Sequence, residues 1–224
     1  MNRVYHWVRR VMLARKARLV KHNSRLSQGS LLDIGTGTGY FPHFMQEKGW
    51  HVSAIEKSPQ ARQFAKEHFE LDVAAPEALN EFADKSFDVI TLWHVMEHLE
   101  HLNETWETLK RILKDQGILI IAVPNPTSFD AEKYKEMWGA YDVPRHLWHF
   151  SPSVMQQLGV KHDFILCERH PMPFDAFYVS MLSEKYRKSA FPFIKGLITG
   201  AEAWIVSLAK KDRSSSMIYV FRKK

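Results

Sequence analysis

Three glycines at alternate positions, Gly35, Gly37 and Gly39, follow an acid, Asp33, that nearly ends the apolar run in "SLLDIGTGTGY". Glycine supplies unusual dihedrals and removes a Cβ, so the pattern marks a turn where a ligand comes close to the backbone. Two ligand classes compete for such a turn. Dinucleotide sites use G-x-G-x-x-G, whose helix N-terminus is aimed at a pyrophosphate. Here the spacing is G-x-G-x-G, and the carboxylate of Asp33 would repel a nearby phosphate. Asp33 and the glycines, with Thr36 among them, favour a positively charged ligand without phosphates. S-adenosylmethionine has that chemistry: a sulfonium, an ammonium and an adenosine. Glu56 stands 21 positions after Gly35, at the end of the next apolar run, where an acid can accept hydrogen bonds from both ribose hydroxyls. The alternative is a tight turn with a surface glutamate nearby by chance.

Methyl transfer from such a cofactor is an in-line displacement, so positioning supplies most of the acceleration. A hydroxyl acceptor also benefits from a base whose pKa lies near neutrality, which favours histidine, and the chain has 12. In "HVMEHLEH", His94, Glu97, His98 and His101 are spaced i, i+3, i+4 and i+7 and share one face if helical. That face could serve a divalent ion or simply a cap and a core polar contact, and the expectation is that no metal is bound. His146 and His149, in "PRHLWHF" beside Arg145, are the acceptor-side candidates, as base or substrate contact or as hydrogen-bonded supports under an aromatic lid. Asn125 could touch substrate or cap its loop. "WHVMEH" lacks the N-P-P-Y signature of amino-group base methylation, and Cys167 falls on an expected late strand rather than at a nucleophile position.

The elements that must hold these residues alternate along the chain. Val4, Trp7, Val8, Val11, Met12, Arg15 and Leu19 recur near the helical period, giving an amphipathic helix over 4–20 with a wide basic face. "SLLDI" is a buried strand, "YFPHFMQEKG" a helix closed by Gly49, and "HVSAIEKS" a second strand. Ser58-Pro59 opens the next helix as N-cap and first helical residue. "ELDVAA" and "SFDVITLW" are further strands, "HLNETWETLKRILKDQG" a helix ending at Gly117, and "ILIIAVPNP" a fifth strand. "DFILCERH" and "SMIYVF" complete the strands, with helices over "SPSVMQQLG", "PFDAFYVSMLSEKYRK" and "FIKGLITGAEAWIVSLAKK". This order specifies an α/β fold, a doubly wound and mostly parallel sheet with helices on both faces.

"LLDIGTGTGYF", "VSAIEKS", "SFDVITLWHVMEHL" and "LKDQGILIIAVPNP" resemble the successive motifs of class I S-adenosylmethionine-dependent methyltransferases, in the branch that includes the ubiquinone-biosynthesis O-methyltransferases. The resemblance covers residues 29–126. It implies a Rossmann-like seven-stranded sheet of order 3-2-1-4-5-7-6 with the last strand antiparallel. It also implies roles: Gly35, Gly37 and Gly39 under the methionine part of the cofactor, Asp33 near its ammonium, Glu56 at the ribose, Lys57 and Val73 or Ala74 at the adenine, and His94 facing the methionine moiety and methyl group.

With 224 residues the chain is expected to form one domain: a basic helix over 1–28, a cofactor-binding core over 29–126, and acceptor-side cover segments over 126–150 and 171–212. The cover segments are rich in aromatics, among them Phe129, Tyr134, Trp138, Tyr141, Trp148, Phe174, Tyr178 and Trp204, which suit an apolar pocket or the packing of added helices. Net charge is +6, concentrated in residues 1–25, which hold no acid. That segment is either a solvated helix face or a contact for an anionic partner. The apolar run is broken by arginine and lysine, so no signal peptide is expected, and one cysteine fits a cytoplasmic setting. The expected partner is a small-molecule acceptor, with peripheral contact to the inner face of an anionic membrane as a further expectation and nucleic acid not expected. The alternatives are an RNA or protein methyltransferase that docks through the basic helix, and a non-catalytic cofactor-binding protein.

Overall fold

The computed structural model describes residues 3–224; the side chains of Arg3, Val4 and Tyr5, and with them the Val4 position of the expected helical pattern, lie outside those described. Seven strands, β1 (Ser30–Ile34), β2 (His51–Ile55), β3 (Val73–Ala74), β4 (Phe87–Trp93), β5 (Leu113–Pro124), β6 (Phe164–Pro171) and β7 (Ser216–Lys223), form one sheet in the order 3-2-1-4-5-7-6. β1 pairs in parallel with β2 and β4, and β2 with β3. β7 runs antiparallel to β6, since Met172 N–H donates to the Ser216 carbonyl and Lys224 N–H to that of Asp163, each at 3.0 Å. This is the sheet that the resemblance implies. By internal contacts the chain divides into two compact units. One runs to Trp93 and takes in Asn103–Ile120 and Lys223; the other comprises His94–Leu102, Ile121–Arg222 and Lys224.

The first unit contains α1 (Arg3–Ser24), α2 (Tyr40–Gln46), α3 (Pro59–Phe69) and nearly all of α4 (Leu102–Ile112). Parallel strands covered on both faces read as continuous apolar runs, and Leu31, Leu32, Val89, Ile90 and Leu92 are all fully buried. Ser58 caps α3 as expected, its hydroxyl accepting the Ala61 N–H at 3.2 Å with Pro59 at the first position. The basic face of α1 is partly turned inward: the Arg9 guanidinium lies 3.7 Å from the Tyr40 ring centre, and Lys16 Nζ 4.3 Å from that of Trp93. One boundary differs from expectation. The helix expected to run to Gly117 stops at Ile112, and residues from Leu113 onward are strand. Leu113 is fully buried, and a Cβ at Gly117 would sit 2.7 Å from the Leu113 side chain, so that glycine serves close approach within the strand rather than a helix cap.

The second unit contains α5 (Phe129–Tyr134), α6 (Pro152–Lys161), α7 (Asp175–Tyr186) and α8 (Pro192–Ala209). The segment after β5 is ordered around Asp130, which is fully buried and accepts the Trp138 indole N–H at 2.7 Å and the Ser215 hydroxyl at 2.5 Å. Trp138, Tyr134, Ala131 and Val179 then form a small core of their own. α7 and α8 pack with almost no intervening side chain: a Cβ at Gly196 would lie 2.6 Å from Met181 Cα, and one at Gly200 2.7 Å from Phe177 Cα. Backbone cannot move aside as a flexible side chain can. Gly196→Val or Gly200→Val is therefore expected to destabilise the protein by about 1–3 kcal/mol, measured by equilibrium unfolding in urea.

Candidate active site

In the first unit the glycine loop leaves β1 through three left-handed residues, Gly35 (φ 71°), Gly37 (φ 57°) and Gly39 (φ 84°), a region that L side chains rarely adopt. The three differ in purpose. A Cβ at Gly39 would lie 2.9 Å from Ala65 Cβ and 3.1 Å from Leu71, so this glycine lets α2 approach α3. A Cβ at Gly37 would meet nothing within 4 Å, so Gly37 borders open space. The loop is pinned to β2, with Gly35 N–H and Thr36 N–H both donating to the Ile55 carbonyl at 2.8 and 3.0 Å.

Glu56 follows β2 directly and its carboxylate spans the turn, accepting the Gly37 N–H at 2.7 Å and the Ser58 N–H at 2.8 Å. It is half-buried; Lys57 beside it is exposed, and Ala74 at the end of β3 accepts the Glu56 N–H through its carbonyl at 3.0 Å. Asp33 is buried within β1, in register with Thr91 of β4, whose hydroxyl donates to it at 2.5 Å. Burial pushes the Asp33 carboxyl up to about 6, against the pull of the Thr91 and Thr36 hydroxyls and the positive charge of Lys16; the nearby Glu56 charge adds to the rise. Thr91 and Lys16 were missed from the sequence. Thr91 becomes visible once the β1–β4 register is known, while nothing in the basic run singles out Lys16.

The second unit holds the candidate histidines. "HVMEHLEH" is not one α-helix: only Met96–His98 form a 3-10 turn, His94 precedes it at φ 58°, and His101 is exposed beyond it. The single face expected for His94, Glu97, His98 and His101 is thus not formed. A left-handed histidine costs roughly 1–2 kcal/mol, and two carboxylates hold it there. His94 Nε2 lies 3.1 Å from Asp175 Oδ2, and Nδ1 lies 3.5 Å from Glu97 Oε1. Burial pulls the His94 imidazole down, but Asp175 and Glu97 outweigh it and raise it to about 10, so His94 is an imidazolium at neutral pH. Asp175, at the start of α7, lies 81 residues further along, and no local signal could have found it.

Glu97, His98 and His146 bring ligand atoms within 4.8 Å of one another, a donor set able to hold a divalent ion. His98 Nδ1 is 2.9 Å from the Arg145 carbonyl, and His146 Nδ1 is 2.8 Å from that of Ala140. The Arg145 guanidinium is exposed and engages Asp142 at 2.6 Å. His149 packs against Tyr141 with ring centres 5.0 Å apart, and burial, reinforced by the charge of His146, lowers its pKa from the ordinary histidine range. The charge of Glu97 opposes that shift, and the side chain is otherwise exposed. Asn125 bonds its own unit's backbone, donating to the Asp212 and Ser214 carbonyls at 2.8 and 3.0 Å, which is the loop-capping role.

The model of a methyltransferase-domain family matches residues 4–167. An uncharacterised methyltransferase of Staphylococcus carnosus is 34% identical over 112 residues, covering 49% of this chain and 53% of that protein. The mitochondrial ubiquinone biosynthesis O-methyltransferase of Schizosaccharomyces pombe is 27% identical over 134 residues, 56% of this chain and 49% of its own. The chain spans about half the length of the curated relatives it matches. A putative sarcosine dimethylglycine methyltransferase from Galdieria sulphuraria superposes with a TM-score of 0.65 at 17% identity, over 95% of this chain and 84% of that one. That likeness is one of fold.

The first unit fits S-adenosylmethionine in chemistry: open space at Gly37, a carboxylate on either side of the loop, and backbone donors already spent on Glu56 and Ile55 rather than left for phosphates. Glu56→Ala is expected to weaken S-adenosylhomocysteine binding by roughly 1–3 kcal/mol in calorimetry, the cost of unpaired ribose hydroxyls and a loosened Gly37 amide. Asp33 is charged above about 6 and neutral below it. Affinity for the ammonium-bearing ligand should therefore fall as pH drops through about 6, and in Asp33→Asn it should be weaker and without that pH dependence.

Proposed function

Because the chain belongs to the methyltransferase-domain family, we propose that it moves a methyl group from S-adenosylmethionine to an oxygen of a small aromatic or lipophilic metabolite. The observation that carries this reading is the Glu56 carboxylate bonded to the amide of Gly37, the glycine that borders open space. Bound at this loop, the cofactor would supply an electrophilic methyl group on a sulfonium. Asp33 would balance its ammonium, Glu56 would hold the ribose, and Lys57 and Ala74 would border the adenine.

Oxygen as the acceptor atom is supported by the similarity to a ubiquinone biosynthesis O-methyltransferase and by the protonation of the histidines. A histidine can take a proton from a hydroxyl only in its neutral form. His149, lowered by burial, meets that requirement, and His94, held as an imidazolium by Asp175 and Glu97, does not. In this reading His149 is the base, His146 and Arg145 border the acceptor, and His94 is a fixed positive charge. The aromatic content of the second unit supports a planar or lipophilic substrate. The exposed free thiol of Cys167 supports a reducing, cytoplasmic setting, and no helix among the described residues is long and apolar enough to cross a membrane. Docking of RNA through α1 is less favoured, since Arg9 and Lys16 lie against aromatic rings.

The deciding experiment incubates the purified protein with methyl-labelled S-adenosylmethionine and a host extract, then partitions the label. Label in the organic-soluble, small-molecule fraction is expected, and His149→Ala should reduce it at least about tenfold with little change in cofactor affinity. Label confined to RNA or protein would overturn the small-molecule reading.

A further inference from the structure

α8 has an inverted polarity. Its buried face is Gly196, Thr199, Gly200, Ala203 and Ser207, small or polar residues that let its backbone close on α7. Its large apolar side chains face outward: Phe193, Ile194, Ile198, Ile205 and Leu208 are between 55% and 67% exposed. At 100° per residue these five, with the partly exposed Leu197 and Trp204, fall on one arc of about 140°. A helix at a water-facing surface places its polar side outward, and monomeric soluble proteins rarely leave so large an apolar patch uncovered. Phe174, Tyr178, Tyr186 and Phe191, on and beside α7, add further exposed aromatic rings.

The charge around this face selects its occupant. Residues 185–211 hold six basic residues, Lys185, Arg187, Lys188, Lys195, Lys210 and Lys211, against one acid, Glu202, which is itself paired with Lys133. A second copy docked through the same face would bring these cations against their own equivalents. An anionic lipid surface satisfies both the apolar arc and the charge. The helix is not apolar enough to cross a bilayer, which leaves a position in the interface plane.

We propose that α8 is a membrane-docking helix: its apolar arc enters the boundary between headgroups and acyl chains of an anionic phospholipid surface, and the flanking lysines meet the phosphates. α1 also turns Trp7, Val8 and Val11 outward, but the broader apolar arc belongs to α8. The inference stands independently of which atom accepts the methyl group.

Flotation of the full chain with vesicles of phosphatidylcholine, alone or mixed with phosphatidylglycerol, tests it. Binding is expected to the mixed vesicles, weakened by salt, and far less to phosphatidylcholine alone. The double variant Ile198→Asp/Ile205→Asp changes only exposed residues and should reduce vesicle binding at least about tenfold while S-adenosylhomocysteine affinity and the melting temperature stay unchanged. Failure of the wild type to float with either vesicle, or equal flotation of the double variant, would overturn the proposal. So would a dimer in analytical ultracentrifugation that the double variant dissociates, because a second copy would then cover the face.

Discussion

A carboxylate buried in the middle of a parallel sheet costs stability, and much of the first unit is arranged around it. Moving Asp33 from the ordinary carboxylate range to about 6 corresponds to about 3 kcal/mol of native-state stability given up at neutral pH. The cost would be larger without Thr91, whose place opposite Asp33 fixes the β1–β4 register, or without Lys16, which turns the basic side of α1 toward the sheet. A sheet that needed only stability would carry a valine there. In the proposed function the retained charge is the counterpart of a cationic ligand beyond β1, and the left-handed glycine turn that follows Asp33 would leave room for it.

Such arrangements are legible in sequence only where they are local. The strand–turn–helix signal around Gly35–Gly39 and the Ser58-Pro59 cap are set by neighbours within a few residues, and each takes its expected structural form; Glu56 follows its strand as expected, but its carboxylate reaches the amide of Gly37, 19 residues away. Misread features depend on distant partners. The helix expected to reach Gly117 ends early because Leu113 is taken into the sheet, and burial in a sheet overrides helical propensity. The i, i+3, i+4, i+7 histidine pattern is real in sequence, yet the chain turns at His94 into a left-handed conformation, stabilised by a carboxylate 81 residues away.

That long-range pairing sets the chemistry of the second unit. Twelve histidines look equivalent in a sequence, and the surroundings of His94 and His149 set these two apart. His94, between Asp175 and Glu97, holds its proton. His149, against Tyr141 and near His146, gives its proton up. At the same pH, Asp175 and Glu97 hold one imidazole as a cation, while desolvation and the charge of His146 lower the pKa of the other.

Gly39, Gly37 and the Gly196–Gly200 pair serve three different ends, and the surface left outside distinguishes them. At Gly39 the missing Cβ lets two helices of the first unit approach, with no solvent-facing consequence. At Gly37 it leaves open space beside an acid, the environment of a bound ligand. At Gly196 and Gly200 it draws α8 onto α7 so closely that the bulky apolar residues of α8 have only the outward side left to occupy. Were the contact with α7 made by large side chains, Phe193, Ile194 and Ile198 would be the natural ones to bury. A sequence that instead spends its smallest residues on the intramolecular contact and its largest on the exterior loses hydrophobic stabilisation in the isolated protein, and recovers it when an apolar phase covers that face.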